Sequence, residues 1–341
     1  MSWLKRRAGP LIVLGSSAVG GAVYRLAKPP DSSDATLNPH TFTPYTLVSK
    51  QPVSSTNAIF TLRNSNGASD AESIKVVSKR SVWSVQIKQP QLQIARAYTP
   101  LPPTTDSEKP GDDDSQDLRL LIRQETGGEV STYLHRLPEQ STIELRGPNT
   151  ELKLPHDIIE VIFLAGGTGI APAMQVAQAL RRRTGSRMHI LWANRRREEC
   201  LGGISDDSGH DYAQDRKGWW KSLFGSSAPA PPVEQPNTAQ KGVIVAELDA
   251  LKKRYEPATK GLSINYYVDE EKNFIQPSEI EKRARRPKEE AGSRLIIVSG
   301  PDGFIEHWAG RKLWANGREV QGPLGGQLGR MDLGEWRVVK L

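Results

Sequence analysis

The sequence predicts an α+β chain of two domains: an antiparallel β-barrel, then an α/β domain on a parallel sheet, with an N-terminal transmembrane helix ahead of both. Three observations carry this. Short strand candidates separated by turn residues fill the first half, strand and helix signals alternate in the second, and an uncharged stretch lies near the start. A length of 341 residues also exceeds what one hydrophobic core usually reaches. An apolar fraction of 37% is low for a compact chain, so polar insertions are expected beside the folded part.

Residues 1–38 read as a targeting or anchoring segment with its linker. Lys5, Arg6 and Arg7 precede the uncharged stretch 8–24, and no acid occurs before Asp31. About 17 residues is the lower limit for a helix that crosses a bilayer. An uncleaved anchor, a cleaved mitochondrial presequence and a buried helix all fit these features, and the anchor is the reading adopted. Residues 39–150 form the barrel, with strands expected at 41–49, 57–62, 82–87, 92–98, 118–123 and 142–146, and no long helical period between them. Gly147-Pro148-Asn149 is expected to break the last of these.

Residues 151–341 form the α/β domain. Strands are expected at 158–164, 188–193, 262–268 and 294–299, and helices at 171–183, 242–255, 277–284 and 303–316. Two insertions carry the missing hydrophobicity: the acidic 104–117 and the Pro/Ser-rich 202–240, which holds Trp219, Trp220, Leu223 and Phe224 beside basic residues.

Several chemistries are excluded. The net charge of +7 comes without zinc spacing, an aromatic RNA-binding run or a basic heptad helix, so no nucleic-acid partner is expected. Cys200 is alone, which rules out an internal disulfide, a four-cysteine cluster and Cys-x-x-Cys-His haem attachment. His135, His156, His189, His210 and His307 show no metal spacing, so no metal site is expected. Redox chemistry therefore requires an organic cofactor or a partner.

Four stretches carry chemistry. Gly166-Gly167-Thr168-Gly169-Ile170-Ala171-Pro172 follows a strand and opens a helix. It is neither a Walker loop nor Gly-x-Gly-x-x-Gly, yet its glycines let backbone N–H groups approach a pyrophosphate. Arg96-Ala97-Tyr98-Thr99-Pro100 ends a barrel strand and puts a cation and an aromatic ring on one face. Gly127-Gly128-Glu129-Val130-Ser131 leads into a helix start, a second anion site. Val298-Ser299-Gly300-Pro301 again runs from strand to turn.

In this order and spacing, the four stretches resemble the ferredoxin–NADP reductase superfamily, cytochrome b5 reductase-like branch, over about residues 40–320. The resemblance implies FAD in the barrel: Arg96 on the pyrophosphate, Tyr98 against the isoalloxazine, Thr99 near flavin N5, and Gly128, Val130 and Ser131 on the phosphates. It implies NADH or NADPH as electron donor at Gly166, Gly167, Thr168, Gly169 and Pro172, with Gly300 and Pro301 completing the nicotinamide pocket. Tyr98, Thr99 and Ser299 are then the catalytic candidates. The family commonly has cysteine where Ser299 stands, so a hydrogen-bond donor is kept and a polarisable thiol lost.

The C-terminal run 320–341 and the N-terminal anchor are similar to the fungal mitochondrial cytochrome c import factors. That similarity implies an inner-membrane protein whose soluble part faces the intermembrane space and which reduces haem during cytochrome c maturation. Its partners would be haem, apocytochrome c and the cytochrome c haem lyase. A cytochrome b5 reductase-like enzyme and a flavin-stabilised assembly scaffold with a weakened nucleotide site remain as alternatives. Arg195, Arg196 and Arg197 read equally as a 2′-phosphate site favouring NADPH and as a solvated basic loop.

Overall fold

The computed structural model describes residues 36–67, 69–104, 117–209, 241–255, 261–285, 291–315 and 317–341. The expected transmembrane helix, most of the acidic insertion and the Trp219 cluster lie outside them. Among the described residues no helix is long and apolar enough to cross a membrane.

Six strands form the first sheet: β1 (Thr43–Pro52), β2 (Asn57–Asn64), β3 (Ser81–Gln89), β4 (Ile94–Tyr98), β5 (Leu118–Arg123) and β6 (Thr142–Lys153). They run antiparallel in the order β4-β3-β6-β1-β2-β5. Alternation puts Tyr45, Leu47, Phe60, Leu62, Val85 and Ile87 inside, in one apolar cluster. The two edges meet through a bridge from Pro100 to Leu120 and a bond from Leu101 N–H to Arg119 O at 2.7 Å. Pro100, Pro102 and Pro103 have no N–H to donate, so this seam has no continuous ladder and the barrel is a half-barrel.

Two local expectations fail here. A helix, α1 (Ala71–Ser78), interrupts the strands; its Ile74 and Val77 lean on the barrel cluster. Asp70, which precedes it, accepts from Leu37 N–H at 2.7 Å and from the Tyr45 hydroxyl, contacts a hydropathy pattern cannot display. Gly147-Pro148-Asn149 does not break β6 either. The strand runs on to Lys153, and shifts in the β3 pairing at Val82/Trp83 and Ser84/Gln86 absorb the bend. Helix α2 (Glu129–Arg136) buries Val130 and Leu134 against the barrel.

The second sheet is parallel, in the order β13-β10-β7-β8-β9. Its strands are β7 (Ile158–Gly166), β8 (Arg187–Asn194), β9 (Gly261–Val268), β10 (Ser293–Ser299) and β13 (Trp336–Lys340). Helices α3 (Ile170–Leu180), α4 (Val243–Lys253), α5 (Pro277–Ala284) and α6 (Asp302–Ala309) connect them. In β7, Val161, Phe163 and Ala165 enter one cluster while Ile162 and Leu164 enter another, so both faces are covered and the run is continuously apolar. The helix expected at 303–316 stops at Ala309, because Gly310 turns to φ 79°. The hairpin β11 (Leu313–Ala315) and β12 (Arg318–Val320) follows, then the unforeseen edge strand β13.

One apolar cluster spans both domains, joining Ile59, Leu121 and Leu152 of the barrel to Ala173, Met174 and Val176 of α3. The polar fastener in it is Gln175. Its carbonyl accepts from Trp83 N–H at 2.9 Å, and its amide donates to Trp83 O at 3.2 Å and Pro100 O at 2.8 Å. Gln175→Ala leaves the Trp83 N–H buried without an acceptor, so a loss of about 1–3 kcal/mol is expected. A thermal-unfolding midpoint unchanged from the parent would contradict this fastening role.

Candidate flavin and nucleotide site

The barrel half of the site begins on β4. Arg96 and Tyr98 share a strand face, Arg96 exposed and Tyr98 half-buried against the barrel core. The Arg96 guanidinium bonds Ala95 O at 3.2 Å. Burial pushes the Tyr98 hydroxyl up to about 12, with Arg96 opposing and Glu125 reinforcing the shift. The phenol therefore stays neutral and keeps its proton to donate at pH 7. Thr99 follows, half-buried, as the chain leaves β4.

Gly127, at φ 77°, and Gly128 bring the chain to α2, with Gly128 at the helix N-cap. The first turn of a helix has N–H groups with no intrahelical acceptor, and here they stand beside β4. Two side chains in this turn are occupied within the barrel. Val130 packs into the barrel core, and the Ser131 hydroxyl is occupied within its own turn, accepting from Glu125 N–H at 3.1 Å and donating to Gly128 O at 3.3 Å. The Ser131 hydroxyl holds the turn's shape, and the backbone N–H groups of the first turn are the donors there that suit an anion.

The nucleotide half forms where β7 and β10 end side by side and their chains diverge, the switch point of the parallel sheet. Gly167, at φ 52°, accepts from Trp192 Nε1–H at 2.9 Å, which fixes the turn. The two turns touch through backbone. A Cβ at Gly169 would lie 2.3 Å from Ser299 O, and one at Gly300 would lie 3.0 Å from Gly166 Cα. The Phe304 ring covers Gly166, 2.9 Å from where a Cβ would stand.

A cavity of about 450 Å³ opens here, lined by Gly166, Gly167, Pro301, Phe304, Trp308, Arg195 and Asp269 among others. Such a volume lies within the range of about 300–1,000 Å³ typical of ligand pockets. Thr168, Gly169, Pro172, Ser299 and Gly300 do not line it. Pro172 is buried in the first turn of α3, and Ser299 sits behind Gly169, its hydroxyl without a hydrogen-bond partner among the described residues.

Sequence reading missed Arg123. It ends β5, lines the cavity, and has Nη1 3.3 Å from the Cβ position of Gly167. Its Nη2 donates to Glu199 at 2.8 Å, and its Nε stands 3.8 Å from Glu125. Burial raises the Glu199 carboxyl while Arg123 opposes the rise. Arg123 thus reaches from the barrel, where it stands beside Glu125, to the crevice at Gly167. A strand-terminal arginine two residues before an acid was the available signal.

The arginine run divides three ways. Arg197 forms a bidentate pair with Glu271 and gives its N–H to Glu270 at 2.6 Å. Arg196 contacts Ser55 at 3.2 Å and Glu198 at 3.6 Å. Arg195 faces the cavity, together with Asp269. Among the described residues no cluster of His, Cys, Asp or Glu is arranged to hold a metal ion.

Comparison with known proteins agrees with this division. An oxidoreductase FAD-binding domain model matches residues 44–154 and an oxidoreductase NAD-binding domain model matches residues 163–203. These matches give the chain an FAD-binding domain followed by an NAD-binding domain. An FAD-binding protein of Schizosaccharomyces pombe is 30% identical over 53% of this chain and 63% of its own length. The cytochrome c mitochondrial import factor of Saccharomyces cerevisiae is 38% identical over 24% of each chain. NADH-cytochrome b5 reductase 2 of Kluyveromyces lactis is 22% identical over 72% of this chain and 67% of its own. The chain thus spans less than two thirds of the first two relatives. Among solved structures, the cytochrome b5 reductase domain of Ulva prolifera nitrate reductase superimposes at TM-score 0.49 with 18% identity, covering 79% of this chain and 91% of that one.

Within its FAD-binding and NAD-binding domains, the chain has residues that suit both groups. Around the barrel groove, an exposed guanidinium, a neutral phenol and a helix N-terminus suit a flavin dinucleotide. At the crevice, glycine turns at Gly166 and Gly167 bring backbone to the cavity wall without a side chain between.

Proposed function

We propose that this chain is an NAD(P)H-dependent flavoprotein reductase that passes electrons to a haem acceptor during mitochondrial cytochrome c maturation. The observation that carries the reading is Arg123, which ends a barrel strand, pairs with Glu199 and stands beside Gly167 in the wall of the cavity, tying the barrel to the nucleotide crevice. When bound, the flavin accepts hydride from a nicotinamide and releases electrons singly. The chain's own residues hold and orient. Arg96 and the α2 N-terminus take phosphate charge, Tyr98 and Thr99 lie along the ring, and Gly166, Gly167 and Pro301 shape the nicotinamide end. Ser299 contributes its backbone, which packs against Gly169 and fixes how the two turns meet.

The import-factor likeness supports the haem acceptor, with haem, apocytochrome c and the haem lyase as partners. It also supports residence at the mitochondrial inner membrane, the soluble part toward the intermembrane space. The cytochrome b5 reductase likeness covers more of the chain and favours, as second reading, a small haem protein as acceptor.

The test uses the full chain loaded with FAD under anaerobic conditions. Adding reduced nucleotide is expected to bleach the flavin's visible band, and cytochrome c haem, presented with and without haem lyase, is expected to be reduced in turn. Bound flavin that never bleaches would instead mark an assembly scaffold.

NADH is the expected donor. Asp269 in the cavity wall suits a ribose hydroxyl and repels a 2′-phosphate, and of the three arginines Arg195 alone lines that wall. Phe274, exposed beside it, offers a face to adenine. Half-saturation of flavin reduction should come at about tenfold lower NADH than NADPH, a difference of about 1.4 kcal/mol. Asp269→Ala should narrow that gap. Equal half-saturation by the two nucleotides in the parent chain would overturn the assignment.

A further inference from the structure

Away from the crevice, one face of the molecule collects cations that the reductase reading does not use. Lys75 on α1 and Lys79 at its C-cap lie four residues apart and both are exposed. Arg80 follows, its carbonyl bonded by Leu154 N–H and its guanidinium against the His156 ring. Lys153, the exposed last residue of β6, pairs in register with Ser81. Arg183 joins them from the α3 end, its guanidinium depressed first by burial and then by Arg80. Lys75, Lys79 and Lys153 make no ion pair among the described residues, so their charge is not neutralised locally.

Two more observations give this face a direction. Between Lys75 and Lys79 stands Val76, an aliphatic side chain 73% exposed. An apolar residue flanked by cations fits the boundary between acyl chains and headgroups. The chain also enters its described part here: Leu37 N–H is bonded to Asp70, the residue before α1. The 35 residues upstream hold the uncharged stretch 8–24. The cavity lies at the opposite end of α3, which begins beside Gly169 and ends at Leu180. A surface contacted by α1 therefore leaves the crevice mouth clear.

We propose that the face formed by Lys75, Val76, Lys79, Arg80 and Lys153 docks on an anionic lipid surface and orients the nucleotide crevice away from it. Each cation near such a surface is worth about fivefold in partitioning, and salt screens the attraction.

The full chain is incubated with vesicles of phosphatidylcholine alone or with phosphatidylserine added, pulsed with an amine-reactive reagent, and its lysines are quantified by mass spectrometry. Labelling of Lys75 and Lys79 should fall at least about threefold on the anionic vesicles and recover at high salt, while Lys272 stays unchanged. Lys153→Gln, whose fold is checked by circular dichroism, should raise the anionic vesicle concentration needed for protection about fivefold. Lys272→Gln should leave it unchanged. Equal labelling of Lys75 on the two compositions overturns the proposal, even when the chain binds both vesicles through its N-terminal stretch. Protection that arises without vesicles overturns it as well, because it would mark a protein contact.

Discussion

Gly169→Ala is expected to uncouple nucleotide from flavin while leaving the flavin in place. The added Cβ would stand 2.3 Å from Ser299 O and 2.6 Å from Ser299 C, both backbone atoms at the end of β10. Neither can give way cheaply, since β10 is paired to β7 up to Ser299–Ala165 and to β13 on its other side. The turn carrying Gly166 and Gly167 must move instead, and it forms the cavity wall. Overpacking of this kind costs about 1–3 kcal/mol, so nucleotide-driven reduction should fall about 5- to 150-fold. Arg96, Tyr98 and the α2 turn lie on the barrel, so FAD content should match the parent. Anaerobic rapid mixing with NADH, together with the FAD-to-protein ratio, measures both halves. A Gly169→Ala chain reducing its flavin at the parent rate would show that the contact between these turns does not set the nucleotide site.

Why some of this was legible in the sequence follows from what each element depends on. β7 is buried on both faces, so its apolar run declares itself, and the glycines after it mark backbone contact. Arg96 and Tyr98 share a face because a strand alternates, which spacing alone foretells. What was not legible depended on distant partners. α1 has an unremarkable sequence and is seated by Asp70 contacts from Leu37 and Tyr45. β6 passes through Gly147-Pro148 because β3 shifts register to follow it. β13 is an edge strand with a weak pattern that pairs with β10 from the far end of the chain. Arg123 escaped notice because its meaning lies across the domain seam, in Glu199 and Gly167. The three arginines looked alike until Glu271, Glu270, Glu198 and Ser55 had taken two of them.

Arg96→Ala tests the other half of the site, with the reverse signature. Arg96 is exposed and its guanidinium bonds a single backbone oxygen within its own strand, so the barrel should lose little stability without it. A cation hydrogen-bonded to a pyrophosphate contributes about 1.5–3 kcal/mol, so the FAD dissociation constant should rise about 10- to 150-fold. Flavin should then be lost on gel filtration while the thermal midpoint of the apoprotein stays at that of the parent apoprotein. Arg96→Lys should recover part of the affinity, because the charge returns without the bidentate fork. Tyr98 gives an internal check. Arg96 opposes the rise of its hydroxyl, so removing the guanidinium should lift that hydroxyl further, and the phenol stays a donor throughout the neutral range. Ring orientation is thereby retained and the loss isolates the phosphate contact. Adding excess FAD should restore nucleotide-driven reduction in Arg96→Ala and should not restore it in Gly169→Ala. Retention of FAD by Arg96→Ala equal to the parent's would remove Arg96 from the phosphate role and leave the α2 N-terminus to hold that charge alone.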